Sequence, residues 1–154
     1  MNITIQSPSL GQVNAVLSDE NPKTAKAFYD ILPISGTANL WGEEIYFAIP
    51  SVIASEEKQS HEFHIQPENP RTVVKKGEIA IWIEQPSFCI FFGKTPMSTD
   101  KEIRAYSPVN VIGRVEGNPK IFQKVKVGEK ITISKAPDTG VDGNGLVAML
   151  SSGG

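Results

Sequence analysis

Apolar side chains in this chain recur at every second position, in one short segment after another, and that period leaves few folds open. In residues 79–84, Ile79, Ile81 and Ile83 fall on one face, with Trp82 and Glu84 on the other. In residues 44–49, Ile45, Phe47 and Ile49 share a face, opposite Glu44, Tyr46 and Ala48. Residues 2–6 and 12–17 alternate in the same way around Ser7-Pro8-Ser9-Leu10-Gly11, the signature of a hairpin with a longer loop. Residues 88–92, 109–115 and 131–135 supply further strands. Many short strands separated by Gly and Pro turns predict a mainly β protein, a closed barrel or a sandwich.

One segment breaks the pattern. Asn21 is a good N-cap, Pro22 suits the first helical position, and Ala25, Phe28, Ile31 and Leu32 recur at helical spacing before Pro33 ends the run. This predicts one principal α-helix. Two regions read as irregular. Residues 54–72 hold Glu56, Glu57, Lys58, Pro67 and Pro70 around a short strand expected at 61–66. Residues 136–154 form a Gly-rich C-terminal extension, in which Leu146 to Leu150 could add a last strand or helix. With no internal repeat and no composition break, residues 1–154 are expected to be a single domain. A chain of this length buries roughly two-thirds of its unfolded surface, enough for a substantial core.

Charge and motifs exclude more than they assign. Lys and Arg number 15 against 17 Asp and Glu, so the basic excess of a nucleic-acid binder is missing. No apolar run approaches the ~18 residues of a membrane span, and the N-terminus lacks the pattern of a signal peptide. The lone Cys89, between Phe88 and Ile90, reads as a buried thiol in a reducing, cytoplasmic setting. His61-Glu62-Phe63-His64 invites a metal, but in a strand residues three apart point to opposite faces. The stretch Asp138 to Gly145 resembles a calcium loop only until its twelfth position, which is Met149 rather than Glu. Gly93-Lys94-Thr95 ends like a phosphate loop, yet the earlier glycine is replaced by Phe88 and Pro96 follows. Neither histidine stands in the context of a hydrolase nucleophile. No metal and no cofactor is expected.

The aromatic residues carry the functional signal. Trp41, Tyr46, Trp82, Phe91 and Phe92 crowd the central third of the chain. Phe47, Phe91 and Trp82 are expected in the core. Tyr46 lies opposite the core face and Trp41 precedes a glycine, and exposed aromatics of that kind line ligand grooves.

Phe91-Phe92-Gly93-Lys94-Thr95-Pro96-Met97-Ser98, between the strand Ile81-Trp82-Ile83 and the strand 109–115, resembles the C-terminal half of the cyclophilins. Together with Leu40-Trp41-Gly42-Glu43-Glu44-Ile45-Tyr46-Phe47 it is similar to a small prokaryotic set of cyclophilin-like proteins. The resemblance implies an eight-stranded closed barrel capped by helices, with a proline-binding groove on its outer face. It places the groove phenylalanine at Phe92, Met97 where the family has tryptophan, and Asn110 or Val109 where it has histidine. The family's arginine and Gln-Gly-Gly segment have no counterpart between Pro33 and Pro50, and the only arginines are Arg71, Arg104 and Arg114. Losing a preorganised donor typically lowers a rate ~10²–10³-fold. The expectation is therefore a binding module for a peptide or small ligand, lined by Trp41, Tyr46, Phe92, Met97 and Asn110 with Lys94, Thr95 and Arg104 at the rim. The alternatives are a weak peptidyl-prolyl isomerase using Arg104, and a structural or assembly protein pairing through a strand edge near the tail.

Overall fold

The computed structural model of the protein describes residues 1–50, 52–54, 59–61 and 63–137. In chain order the elements are β1 (Asn2–Ser7), β2 (Gly11–Leu17), α1 (Pro22–Asp30), β3 (Ile34–Thr37), β4 (Asn39–Trp41), β5 (Glu44–Ala48), β6 (Val52–Ala54), β7 (Gln59–His61), β8 (Arg71–Val74), β9 (Glu78–Trp82), β10 (Ser87–Phe91), β11 (Ile103–Val115) and β12 (Lys130–Ala136). A short 3-10 helix, Pro119–Lys124, precedes β12 and carries Phe122 into the core.

Ten strands form one antiparallel sheet in the order β3-β12-β1-β2-β11-β9-β10-β5-β4, with β8 paired to the early part of β11. β6 and β7 pair separately. Among the described residues the fold is mainly β with one α-helix, as the strand alternation and the 22–32 helical spacing predict. The closed barrel expected from sequence goes further than the hydrogen bonding does. The path ends at β3 and β4, which Ala38 alone separates in the chain, and among the described residues no ladder joins these two edges.

The concave face of the sheet holds the main core. Ile3 and Ile5 of β1, Ile45 and Phe47 of β5, Ile79 and Ile81 of β9, Phe88 and Ile90 of β10 and Ile131 and Ile133 of β12 are buried together there. Helix α1 closes this core. Its Phe28 stacks on Phe88 with ring centroids 5.1 Å apart and planes at 9°. A fully buried side chain of this kind contributes about 1.5–3 kcal/mol, so Ala25 and Phe28 together secure a helix of only nine residues.

Asn21 does not cap the helix with its side chain, contrary to the sequence reading. It is fully buried instead, donating from Nδ2 to the Val111 carbonyl (2.8 Å) and accepting at Oδ1 from the Asn69 N–H (2.6 Å). The cap comes from Glu68. Its carboxylate accepts from Lys23 N–H, Thr24 N–H and the Thr24 hydroxyl, each at 3.0 Å. Partial desolvation raises the Glu68 pKa, but these donors outweigh it and hold the carboxyl below its ordinary range. The strand expected at 61–66 is also shorter than predicted. β7 ends at His61, and residues 63–67 join no ladder. Residues 66–69 bind the side chains of Asn110 and Asn21 instead. The Asp138–Gly145 loop and the segment Leu146–Leu150 lie outside the described residues.

Candidate functional site

The outer face of the sheet is apolar as well. Val74 of β8, Ala80 of β9, Cys89 and Phe91 of β10, and Ala105, Val109 and Val111 of β11 form a second buried cluster, with Tyr46, Trp82 and Ile103 packed at its margin. Strand β10, Ser-Phe-Cys-Ile-Phe, is therefore buried at all five positions, and its continuous apolar run reflects cover on both faces.

Three local features hold this outer layer in place. Gly42 turns the chain between β4 and β5 at φ +59°, and a Cβ there would fall 2.8 Å from the Lys94 carbonyl oxygen. Only glycine lets the 92–96 segment lie against this turn, where Glu43 N–H donates to the Lys94 carbonyl (2.8 Å) and Phe92 N–H to the Glu43 carbonyl (2.9 Å). Thr95 and Ser98 organise the following loop. The Thr95 N–H and the Arg104 N–H both donate to the Ser98 hydroxyl, at 2.9 and 3.1 Å, and the Thr95 hydroxyl donates to the Arg104 carbonyl. The third feature is an irregularity in the β8–β11 register between Arg104 and Val109, at Tyr106 and Ser107.

Between these parts lies a pocket of about 210 Å³ lined by Trp41, Glu44, Tyr46, Trp82, Cys89, Ala105, Tyr106 and Val109. Glu44, Cys89, Ala105 and Val109 are buried and form its base. Two tryptophans and two tyrosines form its walls. Tyr106 stands edge-on to both indoles, 6.0 Å from Trp41 at 77° and 6.2 Å from Trp82 at 88° between ring planes. The Trp82 indole N–H donates to the Ser107 hydroxyl at 2.6 Å, which fixes that ring.

Among the described residues Glu44 is the one carboxyl lining the pocket, and it is only 7% exposed. Among the described residues no lysine, arginine or histidine pairs with it. Burial lifts its pKa from 4.5 to about 7, against a hydrogen bond with the Cys89 thiol that acts in the other direction. Burial also pushes the Cys89 thiol well up, and the neighbouring Glu44 carboxylate adds to that effect, so the thiol stays protonated and unreactive. The described residues of the site thus present aromatic walls, one protonatable carboxyl poised near neutrality and no positive charge.

Of the residues expected in the groove, Trp41 and Tyr46 line this pocket and the others do not. Phe92 follows β10 on the opposite face from Phe91, so it points into the main core, 5% exposed and against Phe122 with centroids 6.4 Å apart. Asn110 alternates with Val109 and Val111 and likewise faces away. It is fully buried, donating to Thr24 Oγ1 and the Gln66 carbonyl (both 2.9 Å) and accepting from Glu68 N–H (3.2 Å). Thr95 is buried in the loop's own hydrogen bonds, whereas Lys94 and Met97 are exposed outside the pocket lining. The Arg104 guanidinium turns to Glu102, with its nitrogens 2.7 and 3.0 Å from one carboxylate oxygen. Trp82, expected in the core, is half-buried and forms a wall. Period-two alternation does place Trp82, Glu44 and Tyr46 opposite the core face, and that was the signal available. Tyr106 and Ala105 carried none.

Comparison with known proteins agrees with this architecture. The family model described as Cyclophilin-like matches residues 1–134. The solution structure of a hypothetical protein from Archaeoglobus fulgidus is similar to this chain at 38% identity and a TM-score of 0.69, covering 88% of this chain and 95% of that one. No curated protein matches. Among the described residues no helix is long and apolar enough to cross a membrane, and no three His, Cys, Asp or Glu side chains are gathered as a metal ion would need. With its model matched over nearly the whole described chain, this protein belongs to the cyclophilin-like family.

Proposed function

We propose that this protein is a binding module that takes a side-chain-sized group of a peptide or small ligand into the outer-face pocket, without efficient catalysis of prolyl isomerisation. The observation that carries the reading is the pocket itself. A concave, open, aromatic-walled site with one convergent polar group is the common form of a ligand site. Its volume of about 210 Å³ is below the roughly 300–1,000 Å³ of sites for drug-sized molecules, so the fitting group is small. The enzyme alternative needs a cationic donor beside the reacting amide. Arg104, the candidate for that role, is engaged by Glu102 and does not line the pocket. We read the protein as cytoplasmic, from its single buried thiol, and the sheet as a barrel whose last seam is closed by side chains rather than by a ladder.

Two assays test this reading. Both tryptophans of the chain line the pocket, so intrinsic fluorescence reports ligand entry directly. Titration with a panel of small fragments and short peptides is expected to give saturable changes, with amide shifts in nuclear magnetic resonance centred on residues 41–46, 82 and 105–109. Shifts centred on another face overturn the reading. In a protease-coupled assay on Xaa-Pro peptides, wild type and Arg104→Ala are expected to be equally inactive. Acceleration that Arg104→Ala abolishes restores the isomerase.

A further inference from the structure

We propose that the group this pocket selects is an organic cation, an alkylammonium head held between the faces of Trp41, Tyr46, Trp82 and Tyr106 with the Glu44 carboxylate as its counter-ion. The inference rests on the ligand-site reading above and names its ligand class. Four independent features lead to it.

The first is wall composition. Aromatic faces are electron-rich, and several of them around one cavity attract a cation that sheds its water, with tryptophan the strongest partner. Here the Tyr106 ring stands nearly perpendicular to each of the two indoles, as a wall that adjoins two others in a box does. The second is Glu44. A carboxyl that is 7% exposed, beside apolar side chains and lacking any cationic partner among the described residues, is a buried acid whose counter-ion is not supplied by the pocket. The titratable groups facing it are the Cys89 thiol from β10 and the Tyr46 and Tyr106 phenols from β5 and β11; among the described residues no lysine, arginine or histidine lines the pocket. The third is size. A space of about 210 Å³ suits an ammonium head group rather than an extended molecule. The fourth is exposure: Tyr106 is 66% exposed, so the box opens to solvent on one side and a head group carried on a chain can enter.

Charge balance sets a pH signature. A bound cation favours the ionised carboxyl, so binding near neutral pH displaces the proton from Glu44 to solvent and strengthens as the pH rises. A neutral ligand of the same shape lacks this dependence.

The test compares choline with 3,3-dimethylbutan-1-ol, its neutral carbon isostere, on the full chain by tryptophan fluorescence and calorimetry. Choline is expected to bind at least about tenfold more tightly at about pH 8, with the preference shrinking at about pH 5.5. In Glu44→Gln the preference should collapse to about twofold or less while the far-ultraviolet circular dichroism stays native. Tyr106→Leu keeps the apolar surface but removes one π face, and should weaken choline by about tenfold with the alcohol unchanged. Equal binding of choline and the alcohol overturns the cation inference and leaves the ligand site standing. Absence of choline binding overturns it too, and the fragment panel then decides the fate of the site separately. A peptide bearing trimethyllysine, compared with its norleucine counterpart, separates the sources. Tighter binding than choline points to a protein chain, and equal binding to a free small cation.

Discussion

The ring of Tyr106 stands edge-on to that of Trp41, with centroids 6.0 Å apart and planes at 77°, and this contact links the β4–β5 hairpin to β11 across the mouth of the pocket. Tyr106 reaches that position because the β8–β11 register is irregular between Arg104 and Val109. Removing the ring should open the site more than it disturbs the fold. Tyr106 is 66% exposed, so Tyr106→Ala is expected to lower stability by only about 1 kcal/mol, the value of its edge-to-face contacts. Tryptophan emission should shift to longer wavelength as both indoles gain water. Urea denaturation followed at two wavelengths checks both statements, and a loss above about 3 kcal/mol would make Tyr106 a core residue instead.

Glu44 makes the protein less stable as the pH rises. Its folded pKa of about 7 lies above the ordinary 4.5, so between these values the folded state binds more protons than the unfolded state. Stability therefore falls across that window and levels off above it, with a full penalty on the order of 3 kcal/mol at about 1.4 kcal/mol per unit. Glu44→Gln should flatten the slope and be more stable than wild type at about pH 8 by roughly 1–3 kcal/mol. Denaturation midpoints measured from about pH 4.5 to about pH 8.5 test this. A variant whose slope matches wild type would assign the titration to another group.

Glu129 acts in the opposite sense. Its carboxylate accepts from the Ser7 hydroxyl, from Ser9 N–H at 2.6 Å and from Lys126 N–H at 3.0 Å, which draws its pKa down to about 2. A lowered carboxyl contributes stability that is full above its unfolded value and lost as the pH falls toward the folded one. Glu129→Gln should thus lose part of the wild-type stability at neutral pH and show a shallower decline between about pH 4.5 and about pH 2. The affected region is the β1–β2 turn, so hydrogen exchange at Ser9 and Leu10 should report it first.

Asn110 faces away from the pocket and ties β11 to α1 and to the 66–69 segment. Asn110→Ala removes a buried hydrogen bond to the Thr24 hydroxyl and part-buried ones to the Gln66 carbonyl and the Glu68 N–H. The expected loss is about 1–3 kcal/mol, and the 66–69 segment that caps α1 should loosen with it. Ligand-induced fluorescence changes at the pocket should persist at temperatures where the variant is folded. Loss of binding with unchanged stability would return Asn110 to the site.

Much of the architecture is legible in the sequence. Period-two alternation located β1, β2, β5 and β9 and separated Ile45 and Phe47 from Glu44 and Tyr46, while the strands expected at 88–92, 109–115 and 131–135 correspond to β10, the later part of β11 and β12. Pro22 and the Ala25–Phe28 stripe located α1. β3, β4 and β8 escaped because three- and four-residue strands carry too few alternations to stand out. Alternation also held the answer for Phe92 and Asn110. Residues next to Phe91 and Val109 in an extended chain must face the other way, so alternation turns Phe92 and Asn110 away from the outer face, whereas the family resemblance points to Phe92 and to Asn110 or Val109 as groove residues.

What the sequence by itself determined is the set of faces: which residues each strand turns inward, which it turns outward, and where one helix interrupts the strands. Those follow from local backbone geometry, in which neighbours in a strand point to opposite sides. Which outward residues meet was decided only by the tertiary structure. Trp41, Glu44, Trp82 and Tyr106 come from four strands, and their convergence depends on ladder register, on a Gly42 turn that admits the 92–96 segment, and on the irregularity before Val109. The carboxyl of Glu44 is ordinary in sequence. It becomes a buried group only when the outer-face cluster of β10 and β11 packs beside it, because its desolvation is a property of that packing.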